Sequence, residues 1–213
     1  QIFVSGLKLI GDGSVSGRTA WMAEPYLGTD SCGISVCSDR QMETAIQFCK
    51  ENHCQLSMHA MGTRAIARVV DRAAREEKWN DGPEPYVRVE HITDPAKDSV
   101  RKAAEKGIGF VTQPIFMYAE IESYLNNLGQ EWMKRCYPVR NLLDSGVKLC
   151  FSTDAPATSW AVPSDPFPNI KGAVTRRAWD GTDCRQDQAV DVETPIILYT
   201  KESADMVGFD RLG

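Results

Sequence analysis

A chain of 213 residues with 42% hydrophobic content can bury a sizeable core, as one large domain or two small ones. Its formal charge of -5 leaves no basic surplus to neutralise phosphates, which excludes nucleic acid and anionic membranes as expected partners, and no apolar run approaches the length of a membrane span. Seven cysteines in loose spacings suit a reduced, cytoplasmic setting better than a disulfide framework.

In chain order, Ile2 to Ile10 reads as a strand with Val4, Gly6 and Lys8 on one face, so that Lys8 sits near its carboxyl end. Residues 11–33, rich in Gly, Ser and Asp, are too long for a plain connector and mark a functional or lid loop carrying Arg18, Trp21 and Tyr26. Ser38 opens a helix with Gln41 as capping-box partner and Met42, Ala45, Ile46 and Cys49 as its buried stripe. His53 ends that helix and reads as a side chain near free carbonyl groups, without chemistry.

The stretch LSMHAMGTRA, Leu56 to Ala65, is an apolar strand that delivers His59 to its carboxyl end. It turns at once into a helix whose Ile66, Val69, Val70, Ala73 and Ala74 form one stripe. The plan then repeats. A third strand, Tyr86 to His91, is followed by Asp94-Pro95 as N-cap and first helical residue, with Gly107 as the stop. A fourth strand, Ile108 to Gln113, ends at Pro114. Helical pieces follow around Ala119 to Leu128 and Pro138 to Ser145, with Gly146 as the next stop. The fifth strand, Val147 to Thr153, delivers Asp154, and a final helix closes at Val207-Gly208.

Strands alternating with helices give parallel βαβ units and the α/β class. Lys8, His59, His91, Gln113 and Asp154 lie at the carboxyl ends of five strands, which is the arrangement of a (β/α)8 TIM barrel; an open sheet would show one switch point and often a glycine-rich phosphate loop, and no GxGxxG or Walker-type loop is present.

Each such residue alone has a structural explanation, but two histidines and an aspartate in the same topological position point together to a metal centre. The imidazoles of His59 and His91 suit Zn2+, and Asp154 can hold the metal while taking a proton from its bound water, which makes it the catalytic candidate. Lys8 taken alone is a solvated lysine. Arg18, Arg64 and Gln113 are the substrate-binding candidates, and Trp21, Tyr26 and Trp160 supply aromatic walls for a small-molecule substrate.

KLIGDGSVSGRTA, HAMGTRA, VEHI, TQP, YPVRNLLDSGV, STDAP and AVTR occur in this order, and the set resembles the amidohydrolase superfamily. The nearest branch is the one that includes N-substituted formamide deformylases and exoenzyme regulatory proteins. The resemblance implies a metal-dependent hydrolase that cleaves an amide or related C-N bond with one or two divalent ions. It makes Lys8 the carboxylated bridging lysine of barrel strand four, His59 and His91 the ligands of strands five and six, Gln113 the close of strand seven, and Asp154 the carboxylate of strand eight.

Three departures accompany it. The only histidines are His53, His59 and His91, so the His-x-His pair of the first strand is missing. Thr63 replaces the aspartate usual after the glycine, which affects the setting of Arg64. The small β-domain is missing from both ends.

The expectation is therefore a single domain, residues 1–213, forming strands four to eight of a partial barrel cut from something longer. Its open edges would pair with other copies in a homo-oligomer. Two rivals are a non-catalytic relic or regulatory binding protein on the same scaffold, and a zinc-stapled module using Cys32, Cys37, Cys49 and Cys54, both pairs spaced C-x4-C.

Overall fold

In the computed structural model, residues 4–209 are described. Strands β1 (Gly6–Ile10), β2 (Gln55–His59), β3 (Val87–Glu90), β4 (Gly109–Thr112) and β5 (Lys148–Phe151) form one sheet in sequential order, every neighbouring pair parallel. The crossovers are helical: α1 (Asp39–Glu51), α2 (Thr63–Ala73) and α3 (Lys97–Lys106), then the short run α4 (Pro114–Ala119), α5 (Ile121–Leu128), α6 (Gln130–Met133) and α7 (Val139–Asp144). After β5 come α8 (Phe167–Thr175), α9 (Glu193–Tyr199) and α10 (Lys201–Met206). No helix among the described residues is long and apolar enough to cross a membrane.

The register separates two faces. Leu9, Met58, Val89, Phe110 and Leu149 stand level across the sheet and, with the stripes of α1 and α2, make the main core. The opposite face carries Lys8, Gln55, Ser57, His59, Arg88 and Glu90, so polar chemistry and core packing are divided by strand periodicity alone. Met206 of α10 packs with Val111 and Cys150 on that second face, and Gln55 Nε2 donates to the Met206 carbonyl at 2.9 Å. Among the described residues, β1 has a strand neighbour on one side only. Lys8 and Ile10 are exposed, and a groove of about 390 Å³ lined by Leu7, Leu9, Ala45 and Phe48 runs between it and α1.

The local signals of α1 hold as read. Ser38 Oγ accepts from the Gln41 backbone N–H while the Gln41 side chain accepts from the Ser38 N–H, and Met42, Ala45, Ile46 and Cys49 are buried. Gly107 and Gly146 take positive φ where helices end. Other expectations need correction. Asp94 does not cap α3: Ala96 occupies the N-cap, and the Asp94 carboxylate meets Arg135 Nε at 3.3 Å, a partner 41 residues away that no local pattern reveals. The helix expected from Ala119 begins at Pro114, whose ring suits the first helical position, and it breaks at Glu120 before α5. In the first strand, Ile2 and Phe3 lie outside the described residues, and the ladder starts at Gly6, opposite Gln55.

The arginine of AVTR, Arg176, is fully buried and donates to the carbonyls of Cys184, Tyr137 and Cys136 at 2.8–3.0 Å, joining the end of α8 to the turn before α7.

Candidate metal centre

His59 ends β2, level with Ile10 and Glu90 on the neighbouring strands. His91 follows β3 directly and, like Asp154 three residues beyond β5, adopts positive φ (66° and 56°). Such backbone is costly for a residue other than glycine, and it tends to occur where the fold must aim a side chain for function. The two imidazoles meet with ring centroids 4.4 Å apart and planes 54° from parallel, and Phe116 of α4 stacks on His91 at 6.0 Å.

Hydrogen bonds commit one nitrogen of each ring. Gln113 is fully buried; its Nε2 donates to Ser152 Oγ at 2.8 Å, leaving Oε1 to accept from His91 Nδ1 at 3.1 Å. In the neutral ring this puts the lone pair of His91 on Nε2. His59 Nε2 donates to the Gly13 carbonyl at 2.9 Å, with Asp12 Oδ1 at 3.4 Å, so its lone pair is on Nδ1. Burial, reinforced by the positive potential of the His59 ring and Lys8, pushes His91 down to about 3. It is therefore neutral at pH 7, the state a ligand requires.

Asp154 is half-buried, and its carboxylate accepts no hydrogen bond among the described residues. Burial pushes it up from the usual carboxylate range, while the positive charge of Lys8 and of a protonated His59 would pull it back. Lys8 itself is exposed and makes no side-chain hydrogen bond or ion pair among the described residues. Beneath the rim, burial alone would raise Glu90, but Arg88 (Nε 2.6 Å away), Lys8 and the Ser57 hydroxyl (2.8 Å) outweigh it and hold the carboxyl below its ordinary value.

In the neutral form, each ring of the pair His59 and His91 presents one nitrogen lone pair while its partner nitrogen is already oriented, and this fits a borderline divalent ion such as Zn2+. Among the described residues, however, no three His, Cys, Asp or Glu side chains converge closely enough to hold an ion. Asp154 thus stands back from the imidazole pair, and the cysteine module is not assembled either, with Cys49 buried in the α1 stripe.

The other sequence candidates separate. Gln113 has both ends of its amide engaged within the protein, by His91 and Ser152. Arg18 Nε donates to Asn127 Oδ1 at 2.7 Å, tying the loop of residues 11–33 to α5. Arg64 lies in the groove between α1 and α2, its guanidinium 6.0 Å from the Trp21 ring centre, and is not gathered with the histidines. Thr63 Oγ1 accepts from the Ala23 N–H at 2.7 Å, a further tie between that loop and α2. Trp160 packs edge-on to Tyr118 at 5.3 Å.

Sequence reasoning missed Asp12 and Glu90. The glycines on either side of Asp12 mark a turn, and nothing local shows that its carboxylate is buried. Glu90 was legible in principle, since it shares the polar strand face with His59.

An all-parallel α/β sheet with paired imidazoles at adjacent strand ends places the candidate site at the carboxyl rim of the strands, where proteins of this architecture carry their chemistry. The Amidohydrolase family profile matches residues 1–213, and the chain belongs to that family. It is 25% identical over 205 residues to a putative amidohydrolase, YtcJ, of Bacillus subtilis (strain 168), covering 94% of this chain and 37% of that protein. It is 28% identical over 155 residues to the N-substituted formamide deformylase of Arthrobacter pascens, covering 72% and 28%. The crystal structure of an uncharacterized metal-dependent hydrolase from Pyrococcus furiosus superposes with a TM-score of 0.80 at 26% identity, over 97% of this chain and 41% of that one. The chain thus spans about two fifths or less of the length of these relatives.

Proposed function

We propose that this chain forms strands four to eight of a (β/α)8 barrel in a metal-dependent hydrolase that cleaves an amide or related C-N bond. The observation that carries the reading is the imidazole pair, with one nitrogen of each ring held as a donor and the other left as a lone pair. His59 Nδ1 and His91 Nε2 would hold a divalent ion, Zn2+ by ligand type, with Lys8 and Asp154 completing the set from the two edges of the sheet. If carboxylated, Lys8 would offer an anionic oxygen ligand to one or two such ions. When bound, such an ion supplies Lewis acidity and lowers the pKa of water toward about 7.

The work of the chain's own residues follows from their placement. Gln113 holds the His91 ring. Asp154, unengaged by hydrogen bonds and raised by burial, is suited to accept a proton at its carboxylate and return it to the departing nitrogen. Phe116 keeps one side of His91 apolar. The deformylase relative supports an N-substituted amide as substrate. The open edge of β1 supports assembly with further chain, either the rest of a longer protein or a second copy.

The test is hydrolysis of an N-substituted formamide by the full-length protein, followed as formate release, with Asp154→Asn as control. The reading expects formate release that falls by at least ~100-fold in the variant. Equal rates in the two proteins contradict Asp154 as the proton carrier.

A further inference from the structure

Asp12 is the most heavily engaged carboxylate of the described residues, and no step above uses it. It follows β1 within a glycine-flanked turn and is 1% exposed. Oδ2 accepts from the backbone N–H groups of Trp21 and Gly62, both at 2.8 Å, and Oδ1 accepts from Met61 N–H at 2.9 Å while standing 3.4 Å from His59 Nε2. One side chain thus joins four places: the end of β1, the loop of residues 11–33, the turn after His59, and the start of α2.

The same knot sets the Gly13 carbonyl that accepts the hydrogen bond from His59 Nε2–H. Gly13 is the next residue after Asp12, and its own N–H donates to the Thr19 carbonyl at 3.3 Å. Trp21, whose N–H is held by Asp12, uses its carbonyl to accept from Arg64 and Ala65 N–H at 3.0 and 3.4 Å, groups that would otherwise be free at the amino end of α2. The space is closed around this contact, since a Cβ on Gly62 would stand 2.2 Å from the Trp21 carbonyl oxygen.

We infer that Asp12 is a positioning residue for His59: its carboxylate and the Gly13 carbonyl it places hold the ring in the Nε2–H tautomer, directing the Nδ1 lone pair toward the proposed metal. A carboxylate there favours a donor at Nε2. An amide of the same shape keeps one oxygen for its three backbone donors and turns an N–H2 group toward either those donors or the ring. The inference rests on the metal-site reading and deepens it by naming what sets one ligand. It ties the loop to the ligand as well, because the residues that hold Asp12 belong to both.

The experiment uses the metal-free chain labelled with 15N-histidine, in which long-range proton–nitrogen correlation spectra report the tautomer of each ring. Wild type is expected to show His59 as Nε2–H and His91 as Nδ1–H. In Asp12→Asn the His59 signals are expected to move toward the other tautomer while those of His91, set by Gln113, stay in place. Zinc affinity should fall by ~10–100-fold, the usual effect of losing a group that orients a ligand. His59 found as Nδ1–H in wild type overturns the inference without need of a variant. A folded Asp12→Asn chain with unchanged His59 signals overturns it equally, and leaves Asp12 as a tie for the loop. A His59→Ala chain that binds zinc as wild type does would instead remove the metal-site reading itself.

Discussion

The middle of the sheet and its two edges treat their candidate ligands differently. At β2 and β3, His59 and His91 are each held by a hydrogen bond from one ring nitrogen, to Gly13 and to Gln113, and they touch one another. At β1 and β5, Lys8 is exposed without a side-chain partner among the described residues, and Asp154 is half-buried with its carboxylate unengaged. Orientation in the middle is supplied by neighbours within the chain. At the edges, among the described residues, β1 and β5 each have a strand neighbour on one side only, and no side chain there engages Lys8 or Asp154.

The sharpest way to break this contrast is acid. His91 titrates near 3 in the folded chain, because of burial first, and near about 6.5 when unfolded. Between those values the unfolded chain binds the additional proton, so stability should be full above pH ~6.5 and decline steadily as pH falls toward 3. Glu90, held low in the folded state, adds a loss in the same direction. Urea unfolding of the chelator-treated chain from pH 7 to 4 measures this, and His91→Gln should flatten the profile. A wild-type profile as flat as the variant's contradicts the buried, neutral His91.

Next in size is Gln113→Leu, which leaves the buried His91 N–H without an acceptor. We expect a loss of about 1–3 kcal/mol in denaturant unfolding, together with weaker zinc binding. Gly62→Ala attacks the other half of the locked region by placing a methyl group against the Trp21 carbonyl, a backbone atom that cannot rotate away. A cost of about 1–3 kcal/mol is expected, read by the same titration. Asp154→Asn should move the stability of the metal-free chain by less than about 0.5 kcal/mol, as befits an unengaged edge residue. A loss above 2 kcal/mol there would mean that the edge is as constrained as the middle.

How far the chain could be read depended on the reach of each interaction. The capping box of Ser38 and Gln41 involves residues three apart, and it was legible. The positions of His59 and His91 followed from period-two alternation and the helix signals after each strand, and the parallel order followed from the crossovers. What escaped were contacts between distant segments. Asp12 reads as a turn residue because its partners Met61 and Gly62 lie about 50 positions on. Asp94 reads as a cap because Arg135 is equally invisible locally. Arg64 follows the HAMG turn by two residues, yet its place on α2 carries it to the outer groove with Trp21. Gln113 was located at its strand end, but that both ends of its amide are consumed by His91 and Ser152 required the fold.

The central claim is that His59 and His91 form a ligand pair whose open nitrogens face one site. Elemental mass spectrometry of the purified chain after zinc loading and desalting, compared with His59→Ala and His91→Ala, tests it most directly. The account expects bound zinc in wild type and its loss in both variants, with each variant still folded by circular dichroism. Zinc retained at the wild-type level in both variants, or no zinc in the wild-type chain, would contradict it.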